Sequence, residues 1–361
     1  MSFATELSAP LTPASERAQI LADPGFGKYF TDHMVSAGWS VESGWDAGHL
    51  GPMASFQMHP GAAVLHYGQE VFEGLKAYRH SDGSIHLFRP ERNAARFAAS
   101  ARRLALPAVP DELFLAALQD LIRADRAWVP AHGSEASLYL RPVEIATEAF
   151  LGVRPSRAAR FFVIASPAGP YFAGGVRGIR LWVTTQYTRA APGGTGEAKC
   201  GGNYAGSLLA QVEAAENGFD QVLYTSGPAD RRLLDESGTM NLMLITRSGE
   251  LLTPGLGTIL PGVTRDSVLA LAGEHGLTPV EREIPLQELL DGCRSGEVLE
   301  VFAAGTAAVI TPIVSLSGEG YTVTVGSGEP GAKALAIREH LLGIQQGDRP
   351  DRHGWLRRVV D

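Results

Sequence analysis

The chain has 361 residues, a length that fits two domains at about 150 residues per domain. Hydrophobic residues make up 45% of the chain and charged residues 19%, which excludes a disordered or coiled-coil protein. Lysine and arginine total 31 against 39 acidic residues, and the net charge of −8 argues against nucleic acid or an anionic membrane as the main partner. The two cysteines, Cys200 and Cys293, lie far apart and predict neither a disulfide framework nor a thiolate metal cluster. Residues 1–24 contain no long apolar run, so we expect a cytoplasmic protein without a membrane segment.

The first 165 residues are predicted to form a mixed α/β domain, because extended and helical patterns alternate along them. The segment 62–90 is rich in aromatic and branched side chains and turns at Ser81–Ser84, which favours strands joined by a hairpin. The other predicted elements of this domain are amphipathic helices at 90–106 and 111–129 and strands at 137–147 and 157–169.

The segment 166–176 concentrates glycine, proline and aromatic residues and is predicted to connect the first domain, 1–165, to a second domain, 177–361. Strand and helix patterns alternate in this larger C-terminal α/β domain without a repeat of fixed period. Its predicted strands lie at 179–185, 220–226, 239–254 and 297–313, and its predicted helices at 203–218, 264–276 and 331–347.

Lys199 lies between two glycine-rich runs, 193–196 and 201–202. Only 4 of the 31 basic residues are lysines, which suggests that each lysine does something arginine cannot. Glycine lets the backbone approach a flat cofactor or a carbonyl substrate, as a lysine nucleophile requires. The alternative on spacing alone is a flexible loop with a solvated lysine. The spacing fits neither a dinucleotide-binding fingerprint nor a Walker phosphate loop.

Three later segments carry polar or anion-binding groups. Glu236 lies on a polar elbow between apolar runs, where it is either a buried carboxylate with a partner or a solvated acid in a tight turn. Thr264 is predicted to cap a helix whose N–H groups would point at an anion, although capping alone explains the residue. The small-residue turn 304–306 offers backbone amides to an anion.

The order of these segments is more specific than any one of them. Lys199 is followed by GGNY, ESGTMN, ILPGVTR and EVFAAGTAA. It is preceded by VFEGLKAYR (Val71–Arg79), LFRPERNAARF (Leu87–Phe97) and SLYLRP (Ser137–Pro142). This arrangement resembles, nearly end to end, the fold type IV pyridoxal-phosphate enzymes and, among them, the branched-chain amino acid aminotransferases. The resemblance implies the two-domain α/β architecture of that fold type and transfer of an amino group between leucine, isoleucine or valine and 2-oxoglutarate.

The resemblance also implies how individual residues hold pyridoxal 5′-phosphate. Lys199 would form a Schiff base with the cofactor, Glu236 would pair with the pyridine nitrogen, and Tyr204 would reach the phenolic oxygen. The phosphate would be held by Arg96, Val263, Thr264 and Thr306. These residue types suit the roles, because an amine is a nucleophile and a guanidinium offers a planar fork of donors to phosphate.

For the substrate, the resemblance implies a pocket of aromatic and polar side chains: Tyr67, Phe72, Tyr139, Arg141, Thr239 and Ala307. Aromatic walls suit a branched aliphatic side chain, while Tyr139 and Arg141 would accept the second carboxylate of glutamate or its 2-oxo acid. Leu151, Gly152 and Val153 match a loop that closes the neighbour's pocket in the family, which predicts a homodimer. The spacing of the ten histidines indicates no metal site.

Two alternatives remain open. A D-amino acid transaminase or an aminodeoxychorismate lyase would share the fold, but such chains are generally shorter and are not expected to combine EVFEGLKAY with SLYLRP. A protein that only binds ligands through the same phosphate site is the alternative outside catalysis. A Schiff base on Lys199 would distinguish an enzyme from this last case.

Overall fold

The computed structural model describes residues 3–7, 11–172 and 174–361. The chain divides into two compact units. The first unit comprises Met1–Tyr171, Ala198–Gly201 and Gly343–Asp361, and the second comprises Phe172–Glu197 and Gly202–Leu342. Within the described residues, no helix combines the length and the apolar character needed to cross a membrane.

The strands of the described residues are numbered in chain order. They are β1 (Ala4–Thr5), β2 (His33–Ser40), β3 (Gly44–Trp45), β4 (His49–Pro52), β5 (Glu70–Phe72), β6 (Leu75–Arg79), β7 (Ile85–Phe88), β8 (Ser137–Ala146), β9 (Ala158–Ala168), β10 (Ile179–Thr184), β11 (Gln221–Ser226), β12 (Leu233–Ser237), β13 (Met240–Thr246), β14 (Glu250–Pro254), β15 (Thr278–Arg282), β16 (Val298–Gly305), β17 (Val309–Gly318), β18 (Tyr321–Thr324) and β19 (Leu356–Val360).

The helices of the same residues are numbered in the same way. They are α1 (Ala14–Ala22), α2 (Ala63–Tyr67), α3 (Pro90–Arg103), α4 (Asp111–Ala124), α5 (Gly201–Ala205), α6 (Leu208–Glu216), α7 (Val263–Leu271), α8 (Leu286–Ser295) and α9 (Ala332–Gln346), with short 3-10 turns at Arg126–Trp128 and Ala272–His275.

The first unit is built on one sheet with the strand order β1-β4-β2-β9-β8-β6-β7-β19, with β3 against β2 and β5 against β8. Helix α3 begins with Pro90, whose fixed φ suits the first helical position. Side chains of α3, α4 and the sheet form the core of this unit, where the Phe97 ring lies 5.3 Å from that of Phe114 and 5.7 Å from that of Phe161. The core therefore fixes one face of α3 against the sheet.

The two faces of strand β8 have different surroundings, because successive side chains of a strand point to opposite faces. Leu138 and Leu140 are fully buried in the core, so Tyr139 and Arg141 occupy the opposite face. Residue pairs opposite each other on neighbouring strands share a face. Phe72 of β5 lies opposite Val143 in an antiparallel pairing, and therefore projects on the same face as Arg141.

The second unit is also built on one sheet, with the strand order β12-β11-β10-β17-β16-β13-β14-β15 and with β18 against β17. Strands β12 and β13 form a tight hairpin in which Glu236 pairs with Asn241. Gly238 in the turn adopts a positive φ of 58°, and a Cβ there would collide with the side chain of Gln221. The glycine thus permits the hairpin that puts Glu236 on a buried strand.

The structure differs from the sequence-based expectations at several places. The predicted strands over 239–254 and 297–313 are each two strands, β13 with β14 and β16 with β17. The predicted helix over 203–218 is two helices, α5 and α6, separated at Gly206 and Ser207. Strand β9 extends through Ala168, into the segment predicted to connect the domains, and Ala173 of that segment lies outside the described residues.

Further differences concern the units. The segments Ala198–Gly201 and Gly343–Asp361, which the sequence assigned to 177–361, belong to the first unit, and this makes the first unit the larger one. The physical reason is strand pairing and hydrogen bonding between remote segments, such as β19 with β7.

Candidate functional site

The lysine segment, defined as Ala198–Gly201, belongs to the first unit although the chain on both sides of it belongs to the second. The Lys199 N–H donates to Ser100 Oγ at 2.9 Å, and the Phe72 N–H donates to the Lys199 carbonyl at 2.9 Å. The Gly201 N–H donates to Glu70 Oε1. The Lys199 ammonium lies 4.6 Å from the centre of the Phe72 ring. The predicted nucleophile is thus half-buried on a fixed backbone, which differs from the solvated flexible loop considered above.

Arg141 lies on the same face of the first unit's sheet as Phe72 and places a positive charge there. Its guanidinium lies 4.9 Å from the ring centre of Phe72 and 5.3 Å from that of Tyr139, and its Nη2 donates to the Tyr139 hydroxyl at 3.1 Å. Its Nε is buried and has no hydrogen-bond partner among the described residues. An anion beside Arg141 would satisfy this donor, since buried donors without a partner are costly.

A cavity of about 260 Å³ opens beside Tyr139 and Arg141 in the first unit. It is lined by Phe26, Gly27, Phe30, Tyr139, Arg141, Ile164, Ala165 and Ser166. The Phe26 ring meets the Tyr139 ring edge to face at 5.0 Å. Phe26 and Phe30 were missed by the sequence analysis; the clustering of aromatic residues around Gly27 was the available signal.

Arg96 pairs with Glu73 in the interior of the first unit. Its Nε donates to Glu73 Oε1 at 2.6 Å and its Nη2 donates to Oε2 at 2.8 Å. Asn93 Nδ2 and the Gly74 N–H also donate to Oε2, at 2.7 and 3.0 Å. Burial would raise the pKa of Glu73, but the charge and hydrogen bonds of Arg96, the charge of Lys199 and the Asn93 bond together hold it below its usual value. Arg96 was predicted from the sequence as a site residue, whereas Glu73 was not.

Tyr67, Leu151 and Val153 lie on the surface of the first unit. The Tyr67 hydroxyl donates to the Leu151 carbonyl, and Val153 is 86% exposed. Leu151 and Tyr67 are also exposed, and none of the three is among the residues that line the cavity. The structure therefore brings Tyr67 and Leu151 together and leaves all three side chains exposed.

Glu236 is a buried carboxylate in the second unit, as one of the two sequence-based interpretations required. Its Oε1 accepts from Asn241 Nδ2 at 3.0 Å and from the Leu260 N–H at 2.9 Å. Arg189 Nε lies 3.1 Å from Oε2 as an ion pair, with both side chains almost fully buried, although the contact is not aligned as a hydrogen bond. Arg189 was missed by the sequence analysis, since no pattern links position 189 to position 236.

Helix α7 begins at Val263, and its N-cap is Gly262 with an extended backbone. The prediction that Thr264 is the N-cap is therefore wrong, because Thr264 lies inside the first turn and is buried there. A Cβ on Gly262 would lie 2.0 Å from Asn241 Oδ1, so only glycine lets the helix begin this close to the Glu236 hairpin.

The turns that carry Thr239 and Thr306 lie at the same end of the second sheet. Thr239 is in the β12–β13 turn, and Thr306 and Ala307 are in the β16–β17 turn. Strands β13 and β16 are paired, and a Cβ on Gly305 would meet the side chain of Met240 at 2.8 Å. The second unit thus gathers Glu236, the start of α7 and the two turns at one edge.

Tyr204 is half-buried in α5, where its carbonyl accepts from the Ser207 hydroxyl and N–H.

The sequence profile of the amino-transferase class IV family matches residues 70–316. The chain belongs to this family. It is 52% identical over 359 residues to a branched-chain-amino-acid aminotransferase of Mycolicibacterium smegmatis, covering 98% of this chain and 97% of the relative. It is 51% identical over 354 residues to one of Mycobacterium tuberculosis, covering 97% of this chain and 96% of the relative.

Solved structures of the class IV family give the same result. The T.th. branched-chain amino acid aminotransferase with pyridoxamine 5′-phosphate superposes with a TM-score of 0.73 at 30% identity, covering 90% of this chain and 98% of the other. The Escherichia coli branched-chain amino acid aminotransferase gives 0.71 at 31% identity, covering 84% and 94%. The predicted fold class, the predicted family and the prediction of an aminotransferase are confirmed by these matches. The predicted branched-chain activity and pyridoxal-phosphate cofactor agree with the names of these relatives.

The donor set of each unit fits the cofactor of the class IV family. The first unit offers an amine and a guanidinium, Lys199 and Arg96. The second offers the buried Glu236 carboxylate for a protonated ring nitrogen, and the glycine-capped start of α7 for a phosphate. Within the part of the chain that the structure describes, no group of three or more histidine, cysteine, aspartate or glutamate side chains could hold a metal ion.

Proposed function

We propose that this chain transfers the amino group between the branched-chain L-amino acids leucine, isoleucine and valine and 2-oxoglutarate, with pyridoxal 5′-phosphate held as a Schiff base on Lys199. The observation that carries the proposal is Lys199 itself, a half-buried amine on a backbone fixed by three hydrogen bonds. When bound, the cofactor supplies an electron sink for the electron pair left at the substrate Cα.

Residues of this chain would transfer the proton, hold the cofactor ring and bind its phosphate. Lys199 would move the proton between the substrate Cα and the cofactor, because its amine can act as a general base. The Glu236 carboxylate keeps a proton on the ring nitrogen and Tyr204 meets the phenolic oxygen. The phosphate is bound by four residues: Arg96, Val263, Thr264 and Thr306.

The substrate side chain would lie against the aromatic face of the first unit. Phe72 and Tyr139 supply apolar surface for leucine, isoleucine or valine, and Thr239 and Ala307 border the pocket. In the other half-reaction, Arg141 and the Tyr139 hydroxyl bind the second carboxylate of glutamate or 2-oxoglutarate. The buried Nε of Arg141, which has no hydrogen-bond partner in residues 3–7, 11–172 and 174–361, supports this role.

We also propose a cytoplasmic homodimer in which Leu151 and Val153, on either side of Gly152, close the pocket of the other copy. Their exposure supports this arrangement, because an apolar surface of this kind is better covered than left in water. The substitution Val153→Asp should then raise KM for leucine more than KM for glutamate. An active monomer at assay concentration would contradict the arrangement.

The main proposal is tested by trapping the Schiff base. Borohydride treatment followed by peptide mapping should label Lys199 in the wild type and in the control Lys333→Ala, which removes another lysine, an exposed one. Lys199→Ala should lose the label and at least about 10³-fold in kcat, and Lys199→Arg should fare no better. Glu236→Gln should keep the label and lower kcat. Turnover of D-alanine without turnover of L-leucine, or an unlabelled Lys199, would overturn the proposal.

A further inference from the structure

The lysine segment has no regular secondary structure at Lys199 and Cys200, so its position must be set by contacts with other parts of the first unit. Ala198 and Cys200, on either side of Lys199, are both buried in the core of the first unit. The two small side chains therefore anchor the segment in the core, and the Lys199 side chain ends over the Phe72 ring.

Three hydrogen bonds complete the attachment, and two of them end on side chains. The bond from Phe72 to the Lys199 carbonyl is backbone to backbone. The other two acceptors are Ser100 Oγ, which receives the Lys199 N–H, and Glu70 Oε1, which receives the Gly201 N–H. These two side chains bind the amides on either side of Cys200.

Ser100 stands on the face of α3 that also carries Asn93 and Arg96. Positions 93, 96 and 100 recur at helical spacing, so their side chains share one face. Asn93 and Arg96 donate to Glu73 from this face, and Ser100 accepts from Lys199. One helix thus sets the lysine backbone at a fixed place relative to Arg96, and Ser100 is only 1% exposed, so water does not compete for its hydroxyl.

Glu70 approaches the lysine segment from strand β5, on the same face as Phe72. Burial raises the pKa of this carboxyl, while the Gly201 N–H and the charge of Arg141 act in the opposite direction. A carboxyl oxygen accepts a hydrogen bond from an amide in the charged form, and the carbonyl oxygen of the neutral form does so as well. The bond to Gly201 therefore persists in both protonation states.

We propose that Ser100 and Glu70 are positioning residues that fix the backbone of Lys199, so that its amine lies at the distance from the substrate Cα which proton transfer requires. The inference rests on the proposed function, because it assigns these residues to the reaction of Lys199. Neither residue touches a reacting atom. A misplacement of about 1 Å at a reacting group costs on the order of 10²-fold in rate.

The test compares holoenzymes of matched variants. Ser100→Ala removes the acceptor of Lys199, whereas Ser137→Ala makes the same chemical change at a serine of the first unit that is also 1% exposed and whose hydroxyl has no partner among the residues described. Glu70→Met removes the acceptor of Gly201, and Glu70→Gln retains an acceptor oxygen. We expect Ser100→Ala and Glu70→Met to lower kcat for leucine by about 10-fold or more with KM changed by less than about 2-fold.

A second readout separates positioning from a merely structural role. The pH midpoint of the cofactor's visible absorption band should shift in Ser100→Ala and Glu70→Met, because it reports the surroundings of the Lys199 nitrogen. Glu70→Gln should recover most of kcat and the wild-type midpoint, and Ser137→Ala should match the wild type in both. Thermal denaturation of each holoenzyme shows whether it is folded.

Two outcomes would overturn the inference. One is a wild-type kcat and midpoint in Ser100→Ala and Glu70→Met. The other is a loss of activity that only follows a fall in melting temperature, with an unchanged midpoint. If borohydride labels Lys199 and either outcome holds, this inference alone fails. If wild-type Lys199 is not labelled, the proposed function fails.

Discussion

Glu73 and Glu144 are two acids of the first unit that are both 0% exposed, yet the structure treats them in opposite ways. Glu73 accepts from Arg96, Asn93 and a backbone amide, and its pKa lies below the usual value despite its burial. Neither oxygen of Glu144 has a hydrogen-bond partner in the described part of the chain, and burial raises the pKa of Glu144 to about 9. Burial alone therefore does not decide whether an acid is charged; the partners within reach decide it.

The positions of the two acids explain the difference. Glu144 lies on the core side of β8, opposite Val71 of β5 and Phe161 of β9, both fully buried apolar residues. Glu73 follows β5 directly and lies beside Asn93 and Arg96, two polar residues on one face of α3. At neutral pH the first acid is a neutral group in an apolar layer, and the second is the counterion of a buried guanidinium.

The largest expected effect comes from removing the charged acid. Glu73→Ala leaves the buried Arg96 guanidinium without its carboxylate, and we expect the free energy of unfolding to fall by about 3–5 kcal/mol. Urea denaturation at pH 7 measures this loss. Glu73→Gln keeps the volume but not the charge and should fall between the alanine variant and the wild type. A loss below about 1 kcal/mol in Glu73→Ala would show that the ion pair is not what holds this region together.

The second prediction is an increase in the free energy of unfolding. Glu144→Leu replaces a buried carboxyl that makes no hydrogen bond to the described residues by an apolar side chain of similar volume. We therefore expect the free energy of unfolding to rise by about 2–3 kcal/mol at pH 8. Glu144→Gln is the matched control, because it removes the ionisable group but leaves a polar amide in the same apolar surroundings. Destabilisation by Glu144→Leu would mean that this acid has a favourable role in the fold.

The two acids should also give the wild type two separate pH dependences. The raised pKa of Glu144 provides stability that is complete below the unfolded pKa, near 4.5, and is lost as the pH rises towards about 9. The slope expected between pH 7 and pH 8.5 is about 1.4 kcal/mol per pH unit from this group. The lowered pKa of Glu73 provides stability that is present above its unfolded pKa and lost only as the pH falls through the folded one. Urea midpoints across pH should lose the alkaline slope in Glu144→Gln and keep the acidic one.

The smallest expected effect tests one bond of the Glu73 network. Asn93→Ala removes a neutral donor to a charged acceptor, and we expect a loss of about 1.5 kcal/mol in the free energy of unfolding. Asn217→Ala is a useful comparison, because that side chain donates to a backbone carbonyl at an exposed helix end. If both substitutions lowered the free energy of unfolding equally, the hydrogen bond from Asn93 to Glu73 would contribute no more than one at an exposed helix end.

The family and the fold class were predictable from the sequence, because the residues that carry the resemblance stand in contiguous motifs. The same motifs contain Lys199, Arg96 and Glu236, whose roles in the site stay predictions. The sequence did not reveal Glu73, Ser100, Arg189 or Phe26. Each of these acts through a contact with a residue far away in the chain, and periodicity carries no information on such contacts. The N-cap of α7 was misjudged for a local reason: the Thr264 hydroxyl can cap a helix, but the lack of space beside Asn241 requires glycine at position 262, where the helix begins.

Strand β19 pairs with β7 in the first unit, and in the chain it follows the whole of the second unit. Its neighbourhood adds side-chain bonds, such as that from the Tyr78 hydroxyl to Gln345. During synthesis the ribosome therefore delivers the last strand of the first sheet only after every residue of the second unit has emerged. The second unit can complete its own sheet while the first still has an open edge at β7, so the order of completion is the reverse of the order of synthesis.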